Sequence, residues 1–437
     1  MPDRLVAITG LGVVTPAAVG AAEFWEALMA GRQGIGRISL FDPAHFPCQV
    51  AGQLNDFSAR TYVPKDYRKA VKVMARDIEI AVAAADMAFR DSGIVTRGID
   101  PAKADIPNKR LGCNIGAGLI CSDLDELGGA VNTAVEDGKF SLKAWGSSGM
   151  NNLTPLWLLK YLPNMLSCHV TIIHGAEGPS NCITCGDASA HLAIGEAAGY
   201  ILRGAADAVI AGGAESKLNP MGMLRQGLLK RLAANSNPTP AAACRPFDKD
   251  HDGTVIGEGG GLVILEEAGR AKARGARLYA QYAGFGGACD PNGIDVQTPS
   301  AGCLDLAIRN ALRSAGIGPE QVGAIVAHGT GVAGEDAVEA AAWKSALGSV
   351  AGRIPAVAIT GAIGSLFAGA GGVTLAVAAM MLHNQVVPPT ANFASPAAGC
   401  ELNFSAQARP ANLDYVVAGS FTVGGQSSAV VLKRAVN

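Results

Sequence analysis

Charge is what this sequence most conspicuously lacks. Only 16% of its 437 residues are Asp, Glu, Lys or Arg, and they nearly cancel to a formal net charge of −2. A near-neutral chain with no Lys/Arg run has no field to gather nucleic acid, so no nucleic-acid partner is expected. Aromatic residues are also scarce, at 5%, while Gly (56) and Ala are abundant, a mixture that favours close packing of helices on sheets. The amino terminus lacks a basic stretch followed by an unbroken apolar one. No secretion signal is inferred, and a cytoplasmic location is expected.

Metal-ligand spacing is missing as well. The one CxxC, Cys182/Cys185, has no second CxxC or His pair near it, so neither a metal nor a cofactor is expected. If residues 182–186 form a strand, those thiols point to opposite faces. The ten scattered cysteines then read as small buried hydrophobes of a reduced protein. Residues 361–382 (GAIGSLFAGAGGVTLAVAAMML) carry no charge over about the length of a membrane span. The first half is Gly-rich, and no aromatic belt or basic cluster flanks it. A central helix buried on all sides explains the run, and no membrane span is expected.

What is present is alternation. Apolar strands are predicted at 5–14, 111–117, 208–212 and 261–265, with helices at 22–30, 68–91 and 189–203. A strand entering at 183–186 turns sharply into the 189–203 helix, and 234–252 reads as a polar loop. The charged run 266–277 reads as a hinge between halves. Beyond it, strands are predicted at 324–327, 356–360, 415–418 and 429–433, with a helix at 336–347 and a Gly-containing turn at 419–425. This pattern argues an α/β fold with helices on both sheet faces. Asp187, His328, Thr360 and the 420–425 loop all fall at or just past the C-terminal ends of predicted strands. Ligand sites gather at that edge in open α/β sheets.

Ordered motifs run nearly end to end: Val6-Ala-Ile-Thr-Gly-Leu-Gly-Val-Val-Thr-Pro16, Gly178-Pro-Ser180, Ala211-Gly-Gly-Ala-Glu215, Arg245-Pro-Phe-Asp-Lys249, Asp252-Gly-Thr-Val-Ile-Gly257, His328-Gly-Thr330, Val387-Pro-Pro-Thr390 and Gly424-Gly425. On these the chain resembles the β-ketoacyl-acyl-carrier-protein synthases, condensing enzymes of the thiolase fold. The resemblance implies two similar halves, 1–268 and 269–437, in a layered αβαβα arrangement. It also implies a chemistry: a cysteine takes the acyl chain as a thioester, and two histidines and a lysine support decarboxylation of a malonyl extender.

Carried over by position, that chemistry is interrupted. The family spacing of Gly-Pro, seven residues, then Cys lands on Asp187, and Cys185 falls two residues early. His328 fills the first histidine position, with Asp336 and Glu339 after it. The Lys…Gly-His-Leu motif is here Thr360…Gly364-Ser365-Leu366, and no histidine lies between 329 and 382. His383 stands roughly 27 Å from Ser365 along a helix, too far to substitute. The family's Gly-Phe-Gly-Gly turn is Thr422-Val423-Gly424-Gly425. Thr330 keeps one of two threonines expected to steady the carrier's pantetheine arm, and Val332 replaces the other. Backbone N–H groups of Asp187 and Val423 remain available for an oxyanion hole, but a carboxylate there would repel the charge it serves. An acyl-Asp would be a mixed anhydride, labile to water. Asp187 is also expected to cap the helix that follows.

These departures resemble the chain-length-factor branch: ketosynthase-like subunits without the nucleophile that pair with an active ketosynthase and shape its acyl tunnel. The expectation is a subunit not catalytic alone, a heterodimer with an active ketosynthase or else a homodimer, meeting acyl carrier protein. The alternative is an active acyltransferase or decarboxylase using Asp187 and His328. By analogy, residues 113–123 and 145–166 line the tunnel. His191 is read as packed, and His169 and His174 as structural residues flanking a strand. Lys65, Arg68, Lys69 and Lys72 are read as a solvated face, with docking of an acidic carrier as the minority reading.

Overall fold

The computed structural model describes residues 4–291 and 300–435. Ten strands form the spine: β1 (Val6–Thr15), β2 (Leu111–Gly116), β3 (Ser180–Ile183), β4 (Ala208–Ser216), β5 (Glu258–Glu267), β6 (Ala280–Cys289), β7 (Ala324–Ala327), β8 (Ala356–Ala358), β9 (Tyr415–Phe421) and β10 (Gln426–Lys433). Their spatial order is β8-β7-β9-β10-β6-β1-β5-β4-β2-β3, and Ala18–Val19 pairs off this path onto β1. Five strands lie on each side of a short joint, where Val6, Ala7 and Ile8 face Tyr282, Gln281 and Ala280. Parallel pairing is confined to β3-β2-β4 and β8-β7-β9; the other pairs on the path are antiparallel.

Six helices complete the layers: α1 (Arg76–Ser92), α2 (Met165–His174), α3 (Ser189–Leu202), α4 (Ala301–Ala315), α5 (Ala333–Leu347) and α6 (Ala370–Asn384). The first two cover the outer face of the β1-β5-β4-β2 half, and α4 and α5 cover the other half. Between the halves, α3 and α6 touch strands of both. This is the layered αβαβα arrangement expected. Gly10 and Gly12 make the α1 contact close: a Cβ on either would lie 2.2 Å from the Ala88 carbonyl oxygen or 1.9 Å from that of Ala84. The uncharged run becomes Thr360–Ile363, a turn, and then α6, nearly all of it buried between sheet layers. It overlaps a stretch, Phe367–Asn384, long and apolar enough to span a membrane, of which 83% is buried inside the fold.

Several boundaries differ from expectation for physical reasons. The helix expected from residue 68 starts at Arg76, after two 3₁₀ turns, because Met74 and Ala75 are extended. Arg76 is drawn out of the periodic pattern by Glu258 (3.1 Å) and the Leu54 carbonyl (2.9 Å). His169 and His174 lie on helix α2 rather than beside a strand. The β-branched run misleads, but the helical period turns Leu166, Val170 and Ile173 into one core. Both histidines are buried and structural: His169 Nδ1 meets Tyr67 Oη at 2.8 Å and His174 Nδ1 meets Thr96 Oγ1 at 2.7 Å. Strand β3 ends at Ile183, so the expected strand over 182–186 is not formed and the opposite-face argument for the two thiols does not hold. Five of the ten cysteines are buried, four are intermediate, and Cys289 is exposed. In the charged run 266–277, buried Glu266, one residue before its strand ends, pairs with Arg270 and with Arg274 at 2.7 Å.

Candidate functional site

The elbow forms between β3 and α3, but Asp187 does not cap the helix. A 3₁₀ turn, Gly186–Ala188, precedes α3, whose N-cap position is Ala188 with no side-chain cap. Helical winding therefore begins before Asp187 and carries its carboxylate away from the α3 amides. It turns instead toward the second half of the chain, where Thr422 Oγ1 donates to Asp187 Oδ2 at 3.0 Å. Ser420 Oγ donates to the Asp187 carbonyl at 2.9 Å. Gly186 permits this approach: its φ is +55°, and a Cβ there would lie 2.3 Å from Thr422 Oγ1. Cys185, expected not to substitute, is half-buried upstream, its N–H bound by Ser189 Oγ at 2.8 Å.

His328 comes to the same place from the end of β7. Its Nε2 lies 3.6 Å from Asp187 Oδ1, both side chains are buried, and neither atom has a hydrogen-bond partner. The ring rests edge-on against Phe421, centroids 5.2 Å apart. The turn that presents it is clamped by two buried carboxylates. Glu339 accepts from the N–H groups of His328 (2.7 Å) and Gly329 (2.8 Å), and Asp336 accepts from those of Thr330 (3.0 Å) and Gly331 (3.1 Å). Burial pushes the Glu339 carboxyl above its ordinary range.

Thr360 reaches this turn through a short hydrogen bond from its hydroxyl to the Gly329 carbonyl. Ser365 is held by its backbone, N–H to Val255 O and C=O from Gly257 N, both 2.8 Å, while its buried hydroxyl bonds to nothing. Thr330 Oγ1 accepts from Val332 N at 3.1 Å. Val423, Gly424 and Gly425 form the turn after β9, closed by Gly425 N to Thr422 O at 3.0 Å. Asp187, His328, Thr360 and Thr422 thus converge from four places in the chain, and no hydrogen bond joins the Ser365 side chain to them. His191, one turn into α3, is packed as expected: Nε2 meets Thr374 Oγ1 at 3.2 Å, and burial lowers its pKa to about 3.

With this geometry in view, the chain matches the models for the β-ketoacyl synthase N-terminal domain over residues 3–271 and the β-ketoacyl synthase C-terminal domain over 279–394. The chain belongs to the β-ketoacyl synthase family. A 3-oxoacyl-[acyl-carrier-protein] synthase 2 from Synechocystis sp. is 34% identical over 435 residues, covering 99% of both chains. The solved ishigamide ketosynthase/chain length factor superposes with a TM-score of 0.85 at 25% identity, covering 99% of this chain and 100% of that one. A type II polyketide ketosynthase, solved with its acyl-carrier protein and bound to a hexaketide, gives 0.81 at 26% identity with the same coverage.

Within this family fold, one partner of the site and one buried ion pair near it were not legible in sequence. One is Thr422, which in sequence is only a changed turn residue and in the structure donates its hydroxyl to Asp187. The other is Arg231, buried and bidentate to Glu335 at 2.7 and 2.9 Å, with Gln226 on its third nitrogen at 2.8 Å. Burial opposes the Arg231 charge, yet Glu335, with Asp187 beyond it, holds its pKa above the ordinary guanidinium value. The contact spans 104 residues, and no local spacing announces it. Chemically, the convergence offers a buried carboxylate and an imidazole with one unpaired atom each. It offers no thiol at the turn of the elbow.

Proposed function

We propose that this chain is a chain-length-factor-type subunit: a non-condensing partner that pairs with an active β-ketoacyl synthase in fatty-acid-like or polyketide chain assembly. The observation that carries the reading is Asp187 at the elbow, engaged by Thr422 and set beside His328. A carboxylate already holding a hydrogen bond there is a poor acyl acceptor, and the positions for a supporting lysine and second histidine hold Thr360 and Ser365. The likeness to a ketosynthase/chain length factor supports the pairing, and the likeness to a ketosynthase solved with its carrier protein supports an acyl-carrier partner. In the same reading Thr330, Val423, Gly424 and Gly425 border the pantetheine path, and the chain divides at 268/269 into two halves. The subunit works in the cytoplasm.

A groove of about 800 Å³ supports a tunnel role, because its lining includes Ile120 to Asp123, Lys160 and Tyr161, inside both segments expected to contact an acyl chain. The second reading, an acyltransferase or decarboxylase using Asp187 and His328, draws on the unpaired Oδ1 and Nε2 atoms 3.6 Å apart. One experiment separates them. The purified chain is incubated with acyl- and malonyl-carrier protein and weighed by intact mass spectrometry, alone and with a co-expressed Cys/His/His ketosynthase. Co-purification with that ketosynthase and an unmodified mass uphold the pairing. Stable acylation, or malonyl decarboxylation by the chain alone, overturns it.

A further inference from the structure

One cysteine is exposed: Cys289, the last residue of β6, whose thiol donates only to the next carbonyl, Asp290 O, at 3.7 Å. The alternation of a strand fixes the face it belongs to. Gly284 and Gly286 face α4, where an added Cβ would lie 2.6 Å from the Ala311 carbonyl oxygen and 2.1 Å from that of Ala307. Phe285 and Gly287 face α3 instead: a Cβ on Gly195 would lie 2.7 Å from the Phe285 ring, and one on Gly287 would lie 3.6 Å from Leu192 Cδ2. Cys289 shares the parity of that second pair and continues its line. Two residues of strand advance about 6.7 Å, which about four residues of helix cover at about 1.5 Å each. The contact therefore moves from Gly195 to Leu192 and on to the elbow just ahead of α3, where half-buried Cys185 stands. The turn after β9 joins the two places. Gly186 packs on Thr422, Cys289 pairs with Gln426, and Asp290 N donates to the Gly425 carbonyl at 2.8 Å. Burial raises the pKa of the Cys185 thiol, and the charge of Cys289 raises it further, as expected of near neighbours. Cys303 lies on α4, behind the sheet, and its thiol donates to the Gly425 carbonyl at 3.3 Å.

We infer that Cys289 and Cys185 form an oxidisable dithiol, a modification site at which a hydroperoxide closes a disulfide between β6 and the elbow. Cys289 is the thiol that the reagent reaches, since oxidation follows exposure. Its sulfur attacks the peroxide oxygen; the O–O bond breaks, Cys289 becomes a sulfenic acid, and one water leaves. The Cys185 sulfur then displaces the hydroxyl of that sulfenic acid. The S–S bond forms, the S–O bond breaks, and the hydroxyl leaves with the Cys185 proton as a second water. Two thiols have lost one electron each, and one peroxide has been reduced. An accessible cysteine beside a resolving one is the usual build of a redox-sensing pair, and a thiol reductant reverses it. The bond ties the elbow, in the first half of the chain, to a strand of the second. It runs alongside the Asp187–Thr422 hydrogen bond, so oxidation stiffens the elbow and the turn together. The device is independent of whether the chain pairs with a ketosynthase.

The test uses the whole chain, reduced and then freed of reductant, with hydrogen peroxide in small excess. Non-reducing peptide mapping with fragmentation is expected to show Cys185 joined to Cys289. The intact mass should lose two hydrogens and regain them in dithiothreitol. Cys289→Ser should abolish the link, and its exposed position keeps that substitution from disturbing the core. Cys185→Ser should leave a sulfenic acid on Cys289 that dimedone captures, while Cys303→Ser should leave the link as it is. On oxidation, amide exchange in residues 184–190 and 420–428 should slow at least about fivefold in the parent and stay unchanged in Cys289→Ser. A map without the 185–289 link, a link from Cys289 to Cys303 or Cys182, or a linked chain whose exchange does not slow overturns the inference.

Discussion

Replacing Asp187 with Ala discriminates between two roles that the sequence alone would merge. As a helix cap, the carboxylate would satisfy amides at the start of α3, and its loss would loosen residues 189–191. The structure puts its hydrogen bond on Thr422 instead, so the loss should be felt 235 residues away, in the turn between β9 and β10. The size of the effect follows from what is left behind. Asp187→Ala leaves the buried Thr422 hydroxyl only its longer contact, 3.3 Å to the Val423 carbonyl, and removes the carboxylate beside His328 Nε2. A buried polar group left without its partner costs about 1–3 kcal/mol. At about 1.4 kcal/mol per tenfold, amide exchange in residues 420–428 should speed up roughly 5- to 150-fold. Exchange at the first turn of α3 should change far less.

Hydrogen–deuterium exchange read by mass spectrometry is the right assay, because a chain of this size need not unfold in one step. Asp187→Asn keeps an acceptor for Thr422 and should move the turn by less than about threefold. Thr422→Val should reproduce the Asp187→Ala effect, and the double variant should add little to either single one, since both delete the same contact. The reasoning is refuted if Asp187→Ala accelerates exchange in α3 while leaving 420–428 unchanged, or if the two substitutions simply add.

Three further outcomes follow from the same structure. Arg231→Ala leaves Glu335 buried and uncompensated and should cost about 3–5 kcal/mol, whereas Arg231→Met with Glu335→Leu should recover most of it in urea unfolding; equal losses would show that the ion pair itself carries the stability. Asp77 has a folded pKa near 7 against 3.8 unfolded, so the folded state holds a proton the unfolded state has lost across that window, and stability falls as pH rises from about 4 to 7. Asp77→Asn should flatten this fall and gain on the parent most above pH 7, measured as melting temperature against pH; a parallel pair of curves would contradict it. Lys65, Arg68, Lys69 and Lys72 are all exposed, and reversing them to Glu should weaken binding of an acidic carrier protein at least tenfold at low salt if they dock it, or leave binding unchanged if they are only a solvated face.

Elements whose pattern is written in local periodicity were legible from sequence. The strand over 324–327 forms as read, and the charge-free segment becomes a buried helix because nothing polar on it needs water. Elements set by distant partners were not. Arg76 starts its helix eight residues late because Glu258 and Leu54 hold its guanidinium, and the α2 histidines sit on a helix although their neighbours are β-branched. Motif spacing pointed to Asp187, His328, Thr360 and Ser365, of which the structure brings the first three together, while the direction of the Asp187 carboxylate depended on a single 3₁₀ turn that composition cannot announce. Thr422, Arg231 and Glu335 stayed hidden for the same reason: each acts through a contact across the chain.

In the proposed reading, His328 serves the fold and not a reaction. Its turn is held by Asp336 and Glu339 through backbone N–H groups, bonds that do not involve the imidazole at all. Asp336 also accepts from Phe247 N at 2.7 Å and sits 3.1 Å from His251 Nδ1, so it fastens the 245–251 loop to the same turn. Exchanging those acids would leave several buried amides unpaired, a far larger penalty than exchanging a nucleophile at the end of a free side chain. The imidazole itself fills the space against Phe421 and leaves Nε2 beside a carboxylate. The four family positions thus differ in what binds them to the fold. Asp187 and Thr360 bond through side-chain tips, and the Ser365 hydroxyl bonds to nothing, so these three side chains can change while the scaffold stands. The turn at His328 is anchored by its backbone, whereas the imidazole itself is held only by packing on Phe421 beside the Asp187 carboxylate.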